Sequence, residues 1–420
     1  MNVLVCGASG FIGRAIAERL ERDGHRVLRG VRRPARASEV AIDYTADLSA
    51  GQWLDRLDGV DAVVNAVGIL VERGGETFAR VHAQAPRALF AACAMRGVRR
   101  VVQISALGAP SRETPYFASK CEADDFLLAQ PLQAHVLRPS LVYGDNGASA
   151  RMFRLLASLP VHVLPAGGRQ PLQPVHIDDL AELVARLLGP AAPPACPPCL
   201  DVAGNTPVSY RDMLGAYRRS MGLAPALAIS IPAWAMRAAS VAGGWAPGSP
   251  LTPDTWRMLQ RGNVADVQPL AAALGRPPLG IEAFVAPPAA PALLAEALGA
   301  WRAPLLRIAL AVVWVASALV SALLYPQAGS LARLARLGLH GTAAQGALYG
   351  ACALDFGLGL ATLLKPGRKL WGMQIALILA YSVLVAVALP EFLAEPFGPI
   401  IKNLPMLAIL IVLFNEERPS

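Results

Sequence analysis

The sequence predicts an α/β fold, a Rossmann-type doubly wound parallel sheet, followed by an all-α four-helix transmembrane bundle. Three observations predict it. Short β-rich runs alternate with amphipathic stretches up to about Gly144, a glycine-rich turn follows the first run directly, and long apolar stretches fill the chain after Trp301. Such alternation marks a parallel sheet covered on both faces. Apolar stretches of roughly 20 residues match a hydrocarbon core of about 30 Å.

At 420 residues the chain exceeds one compact domain. Hydrophobic residues make up 54% and charged ones 16%, with the apolar excess near the C-terminus, so a soluble front and a membrane back are expected. Residues 1–285 form the nucleotide-binding part, its substrate-side lobe mainly 148–285. Pro287, Pro288 and Pro291 mark a Pro/Ala-rich linker over 286–300, and 301–420 form the membrane part.

The net charge of +8 contains no run of five basic residues, which argues against nucleic acid as a partner. Six scattered cysteines, with Cys6 inside the first strand, imply a reducing compartment. Cys196 and Cys199 have redox-motif spacing but lie in a Pro-rich loop without a second ligand pair, so neither metal nor thiol chemistry is read there. Residues 1–7 lack a basic leader and are broken by glycine, unlike a signal peptide.

Strands are expected at 3–6, 26–31, 62–66, 101–105 and 135–137, with helices starting near Ile12, Phe78 and Phe117. The continuous aliphatic runs at 62–64 and 101–102 suit strands buried on both faces. Farther on come a helix after Asp178, a strand near Leu200 and helical material over 210–221. The apolar segment 229–244 has one charge, Arg237, and contains Pro232, so it reads as a core or interfacial helix.

Spans are expected over 304–324, 342–364, 370–389 and 400–414. Lys365, Arg368 and Lys369 make one loop basic, whereas Glu391 and Glu395 make the next acidic. The positive-inside rule then places the N-terminal domain in the cytoplasm of a bacterial-type inner membrane. Arg333 and Arg336 oppose this weakly, within an expected surface helix carrying Leu331, Leu334 and Leu337. Asp355 is costly at mid-span, and Tyr381 at similar depth is its expected hydrogen-bond partner.

Gly7-Ala8-Ser9-Gly10-Phe11-Ile12-Gly13 follows a strand and opens a helix, so backbone N–H groups and the positive helix end face any anion there. The three glycines serve a tight turn, close approach of a pyrophosphate, and packing of helix on strand. Where an acidic residue would bind the ribose of NAD, Arg32 and Arg33 stand instead, which favours NADP(H) over NAD(H); both are also ordinary strand-end residues. Asp47, followed by Leu48, reads either as a contact to the adenine or as a helix N-cap. Asn65-Ala66-Val67-Gly68 ends a strand at the crevice, with small residues leaving room for a ribose.

Tyr116 and Lys120 lie four residues apart on one helix face, where a cation lowers a phenol's pKa toward useful proton exchange. Ser105 ends the preceding strand and would share the reacting oxygen; packing, solvation and capping are the plain alternatives. His176, Asp178 and Asp179 read as helix capping or as part of a lid.

Through Gly7-x-x-Gly10-x-x-Gly13, Tyr116-x-x-x-Lys120 and the run Arg138 to Gly144, the first 285 residues resemble the extended or atypical short-chain dehydrogenase/reductase superfamily. Val81-His82 and the run Pro174 to Ala181 resemble its branch of nucleotide-sugar epimerases and the complex I accessory subunit. The resemblance implies catalytic Ser105, Tyr116 and Lys120, with Pro139 and Ser140 lining the nicotinamide side. The last 120 residues, with Lys402-Asn403-Leu404-Pro405, resemble a DoxX-like membrane domain. An NAD(P)(H)-dependent oxidoreductase on a lipidic or quinone substrate is the expectation. A non-catalytic NADPH-binding assembly protein and a nucleotide-sugar epimerase or dehydratase stand as alternatives.

Overall fold

The computed structural model describes residues 1–189, 196–245, 249, 251–394 and 401–417, in two compact units, Met1–Ala297 and Leu298–Ser420. Seven strands build the first unit's sheet: β1 (Asn2–Cys6), β2 (Arg26–Val31), β3 (Glu39–Ala41), β4 (Ala62–Asn65), β5 (Arg100–Ile104), β6 (Gln133–Pro139) and β7 (Cys199–Val202). They lie in the order β7-β6-β5-β4-β1-β2-β3, and every neighbouring pair is parallel. The order reverses between β1 and β4, and ligands of such sheets bind outside the carboxyl ends at that switch point.

Each face of the sheet is covered. On one face α1 (Phe11–Arg22) packs through Ile16, Ala17 and Leu20 beside the helix Ile177–Leu188. On the other lie α2 (Ala85–Arg96), α3 (Pro115–Leu128) and Trp53. A further lobe forms around Tyr143, Tyr217 and Phe284.

Residues 286–300, expected as a linker, are helical from Ala290 onward. Pro291 falls in the first turn, where its missing N–H has no partner to lose. Leu293 and Ala297 join the lobe's core, and buried Arg154 pairs with Glu296 at 3.0 Å. The segment 229–244 is also divided: Leu227–Ile231 is a strand parallel to Val161–Pro165, Pro232 ends it, and a helix runs over Ala233–Gly244. Proline lacks the ladder N–H and holds the residue before it extended, which explains the break.

Three helices, not four, are long and apolar enough to span a membrane among the described residues: Ala290–Leu324, which begins in the first unit, Gly341–Leu364 and Arg368–Ala388. Asn403–Glu416 has 14 residues, or about 21 Å, short of the roughly 30 Å core. Its Leu410 and Leu413 pack with Ile378 of the third span; Ile400 lies outside the described residues. The Trp314 indole donates to Gln374 Oε1 at 2.9 Å, and Gln374 Nε2 donates to Thr362 Oγ1 at 2.9 Å, so all three spans share one polar link.

The expected surface helix forms as Gln327–Arg336, and Arg336 pairs with Glu391 of the acidic loop; Glu395 lies outside the described residues. The basic charge that opposed the topology thus meets an opposite one. The expected Asp355 to Tyr381 bond is corrected: among the described residues no hydrogen bond joins them, and Asp355 Oδ1 has no partner. Similar depth does not by itself supply the donor–acceptor distance and angle that a hydrogen bond needs.

One local device positions the crevice. A π-helical turn, Ala79–Gln84, precedes α2 and carries buried His82; such turns concentrate at functional sites. His82 Nε2 accepts the Ile69 N–H at 3.0 Å, so Nδ1 carries the proton and donates to Ser119 Oγ at 3.1 Å. Burial, aided by the nearby Lys120 cation, pushes the imidazole down to about 2. With the folded value below the unfolded one of about 6.5, the unfolded site binds more protons between them, so stability is lost as pH falls through 6.5. Between about pH 7 and pH 5 the loss should be about 2 kcal/mol. Hydrogen exchange over residues 66–70 and 79–84, corrected for intrinsic rates, should rise about 30-fold; His82→Gln should remove that pH dependence.

Candidate functional site

The turn after β1 is built as the glycine spacing requires. Gly7 adopts φ +81°, a region side chains avoid. A Cβ on Gly13 would lie 2.3 Å from the Gly7 carbonyl oxygen, and one on Gly10 would lie 3.2 Å from it. Helix α1 has no side-chain cap and no acidic residue in its first turn, so its leading N–H groups face the crevice unneutralised. Three loop N–H groups serve otherwise, that of Gly10 donating to the Gly7 carbonyl at 2.9 Å. The N–H groups of Gly7 and Ala8 donate to the Gly30 carbonyl at 3.1 and 3.2 Å, tying the loop to β2.

Beside the loop lies a crevice of about 160 Å³. Gly7, Ser9, Gly10, Arg32, Ala66, Val67 and Gly68 line it, with Asp43 and Glu76. The residues therefore fit a nicotinamide dinucleotide: a cradle that admits no Cβ at Gly13, an open helix end, and small residues at the strand end. Phe11 packs its ring against Gly144 and Gly147, where a Cβ would meet it at 2.8 and 3.1 Å. The helix start is thereby seated on the run Arg138 to Gly144. Ile12 is half-buried against the core.

Arg32 reaches the crevice but pairs with Glu76 at 2.5 Å, and Asp43 adds a second carboxylate nearby. Arg33 is exposed and does not line the crevice. Asp47 is not the expected cap: its carboxylate accepts the Asp43 N–H at 2.6 Å and pairs with Arg56 at 2.7 Å. The nearby 3₁₀ turn is capped by Ser49 instead. Leu48 packs at the core margin.

Lys120 is buried at the carboxyl ends of β4 and β5, its Nζ donating to Ile104 O at 3.1 Å and Val67 O at 3.4 Å. A Cβ on Gly68 would lie 3.1 Å from that ammonium. Ser105 is also buried, and its hydroxyl donates to Asp124 Oδ2 at 2.6 Å. Asp124, fully buried one helical turn past Lys120, has Arg138 Nε at 3.5 Å and an Oδ1 without a partner. Tyr116 stacks edge-on to His82 and Phe78. Among the described residues no hydrogen bond joins Tyr116 to Lys120 or Ser105.

Electrostatics correct one expectation. Burial, with Asp124 adding repulsion, pushes the Tyr116 phenol up to about 12, and burial pushes Lys120 down to about 8 against the pull of Asp124. Desolvation, and not the neighbouring cation, sets the direction of the phenol's shift. Burial raises Asp124 too, opposed by Ser105, Arg138 and Lys120. Pro139 ends β6, and its carbonyl accepts the Leu107 N–H at 2.9 Å; the Ser140 hydroxyl donates to Gln173 O at 2.6 Å.

Three contributors escaped the sequence reading: His82 as an anchor, Asp124, and the buried chain from Tyr44 through Asn65 to Gln103, with bonds of 2.8 and 2.7 Å. The spacing of Asp124 from Lys120, four residues on one helix, was the available signal. At the helix after β-strand residues 175–176 the cap is His176, accepting the Asp178 N–H at 3.3 Å, while buried Asp179 binds Arg276 and the Leu279 N–H. Burial raises the Cys196 and Cys199 thiols. A second cavity, of about 250 Å³, is lined by Leu107, Gly108, Asp201, Arg261 and Asn263.

Residues 3–194 match the NAD dependent epimerase/dehydratase family, and residues 311–411 match the DoxX-like family. Ceramide reductase of Caulobacter vibrioides is 32% identical over 192 residues, 44% of this chain and 60% of that protein. The match thus spans less than two thirds of that relative. The 3-diazoavenalumate denitrifying reductase of a Streptomyces species is 28% identical over 311 residues, 61% of this chain and 98% of that protein.

Two solved structures share the fold. The NADPH-dependent quinone oxidoreductase QOR2 of Escherichia coli, complexed with NADPH, superposes with TM-score 0.52 at 18% identity, covering 68% of this chain and 98% of that one. Human epimerase family protein SDR39U1 (isoform 2), with NADPH, gives TM-score 0.52 at 17% identity, covering 69% and 99%. By its sheet order, its glycine turn and these matches, the chain has an N-terminal domain that is like those of the NAD-dependent epimerases and short-chain dehydrogenases, and a C-terminal DoxX-like domain.

Proposed function

We propose that the chain is a membrane-bound NADP(H)-dependent oxidoreductase of the short-chain type, its first unit on the cytoplasmic face, acting on a lipid-soluble substrate. The observation that carries this reading is the Lys120 ammonium, buried at the ends of β4 and β5 beside Gly68, where the crevice from the glycine loop leads. A bound nicotinamide dinucleotide would supply or accept a hydride there. Tyr116, one helical turn before Lys120, gives or takes the proton at the substrate oxygen. With the phenol held near 12, Tyr116 is protonated at neutral pH, the state from which the reductive direction starts, although it is a weak acid.

Ser105 has its proton engaged by Asp124, so its oxygen offers lone pairs, which accept a hydrogen bond from the hydroxyl of the alcohol and not from the carbonyl form. The second cavity, beyond the Leu107-Gly108 turn that follows Ser105, is the substrate's place. Support for a lipid-soluble substrate comes from the three apolar helices and from a relative named for ceramide. Basic Lys365, Arg368 and Lys369 support the cytoplasmic side.

A second reading, a dinucleotide-binding protein without turnover, is favoured by the raised phenol and by the missing bond between Tyr116 and Lys120. One variant separates the two. With NADPH and long-chain ketones or quinones, Tyr116→Phe in the detergent-purified full chain should lower turnover by about 10² to 10⁴-fold. NADPH affinity, by fluorescence titration, should change less than about twofold. A wild-type chain that binds NADPH but oxidises it with none of these acceptors supports the second reading.

Cofactor choice rests on Arg32. Arg32→Ala should weaken NADPH binding by about tenfold, the scale of one charge-assisted hydrogen bond, and leave NADH binding unchanged. Equal losses for both cofactors would overturn the assignment of Arg32 to a 2′-phosphate.

A further inference from the structure

From Met221 to Trp245 the chain carries a single charge, Arg237. The strand Leu227–Ile231 lies at the surface, Leu227 and Ile229 sharing one face with Val163, which pairs with Ile229. After Pro232 the helix Ala233–Gly244 turns Met236 and Ser240 inward. Its other side bears Trp234, Ala238, Val241 and, just beyond the helix, Trp245, at the three- and four-residue steps of one helical stripe. The two tryptophans are 75% and 83% exposed. A helix at a water-facing surface puts its polar side outward, and here the outward side is the apolar one.

We infer that this element, residues 227–245, docks into the interface of a lipid bilayer. The same chain has three helices long and apolar enough to cross a membrane, so a bilayer is the surface that the first unit meets at high effective concentration. Tryptophan is the side chain that settles where hydrocarbon meets headgroup, and the stripe places one at each end of the helix. Arg237, exposed on the outward side, extends its charge to anionic headgroups while its stem lies along the apolar surface. The helix packs against its neighbour Pro253–Arg261, where a Cβ on Gly243 would lie 2.2 Å from the Leu251 carbonyl, and Arg261 at the end of that neighbour lines the second cavity. Docking therefore brings that cavity within one helix of the lipid. The docking stands on the apolar stripe and the apolar spans, and survives if the proposed reaction fails.

The test uses the full chain in nanodiscs of phosphatidylcholine and phosphatidylglycerol, with ordinary or dibrominated acyl chains. Subtracting the emission of a Trp234→Phe, Trp245→Phe double variant isolates these two tryptophans from the other five. Quenching of the difference signal by at least half in brominated lipid, with little effect of aqueous iodide, is the expected result. Quenching by iodide and not by brominated lipid leaves the stripe in water and overturns the inference. Insensitivity to both overturns it as well, since protein, a second copy or the chain's own helices, then covers the stripe.

Discussion

The first unit depends on how closely α1 approaches the turn that precedes it. No Cβ fits between Gly13 and the Gly7 carbonyl, and this contact lets the helix begin directly above the end of β1. From that placement follow the open N–H groups at the crevice, the left-handed Gly7 that reverses the chain, and the seating of Phe11 against Gly144 and Gly147. The pair of bonds from Gly7 and Ala8 to Gly30 then fixes the loop to β2, whose last residues lead to Arg32. An anion-binding end is thereby aimed at the reversal point of the sheet.

Across the sheet, the polar groups of the site are organised by burial more than by charge pairing. Lys120 finds backbone carbonyls, Ser105 finds Asp124, and His82 stays neutral between Ile69 and Ser119. Each finds a partner within the chain, and the cost of desolvation sets the direction in which Tyr116 and Lys120 shift. The phenol is therefore a reluctant acid in this state. Whatever oxygen reaches it must supply the stabilisation that Lys120, held by two carbonyls, does not.

Much of this was legible in the sequence because it depends on local pattern. The glycine spacing, the aliphatic runs of β4 and β5, and the four-residue step from Tyr116 to Lys120 each specify a local geometry that survives in the folded chain. What stayed hidden depends on contacts distant in sequence. Nothing local in the sequence announces that Asp47 meets Arg56, or that Arg32 meets Glu76, 44 residues away. The helix from Ala290 looked like a linker because proline reads as a breaker, although in a first turn it is harmless. For Asp355 and Tyr381 depth is readable from the sequence, whereas the donor–acceptor geometry of a hydrogen bond is not.

The account stands on one claim, that the turn after β1 holds a nicotinamide dinucleotide. Isothermal calorimetry of the full chain in mild detergent, titrated with NADPH, tests it directly. Saturable binding to a single site, lost in a Gly13→Val variant whose side chain would enter the space beside the Gly7 carbonyl, is the result expected. Absence of saturable heat in the wild-type chain, or equal binding by the variant, would contradict it.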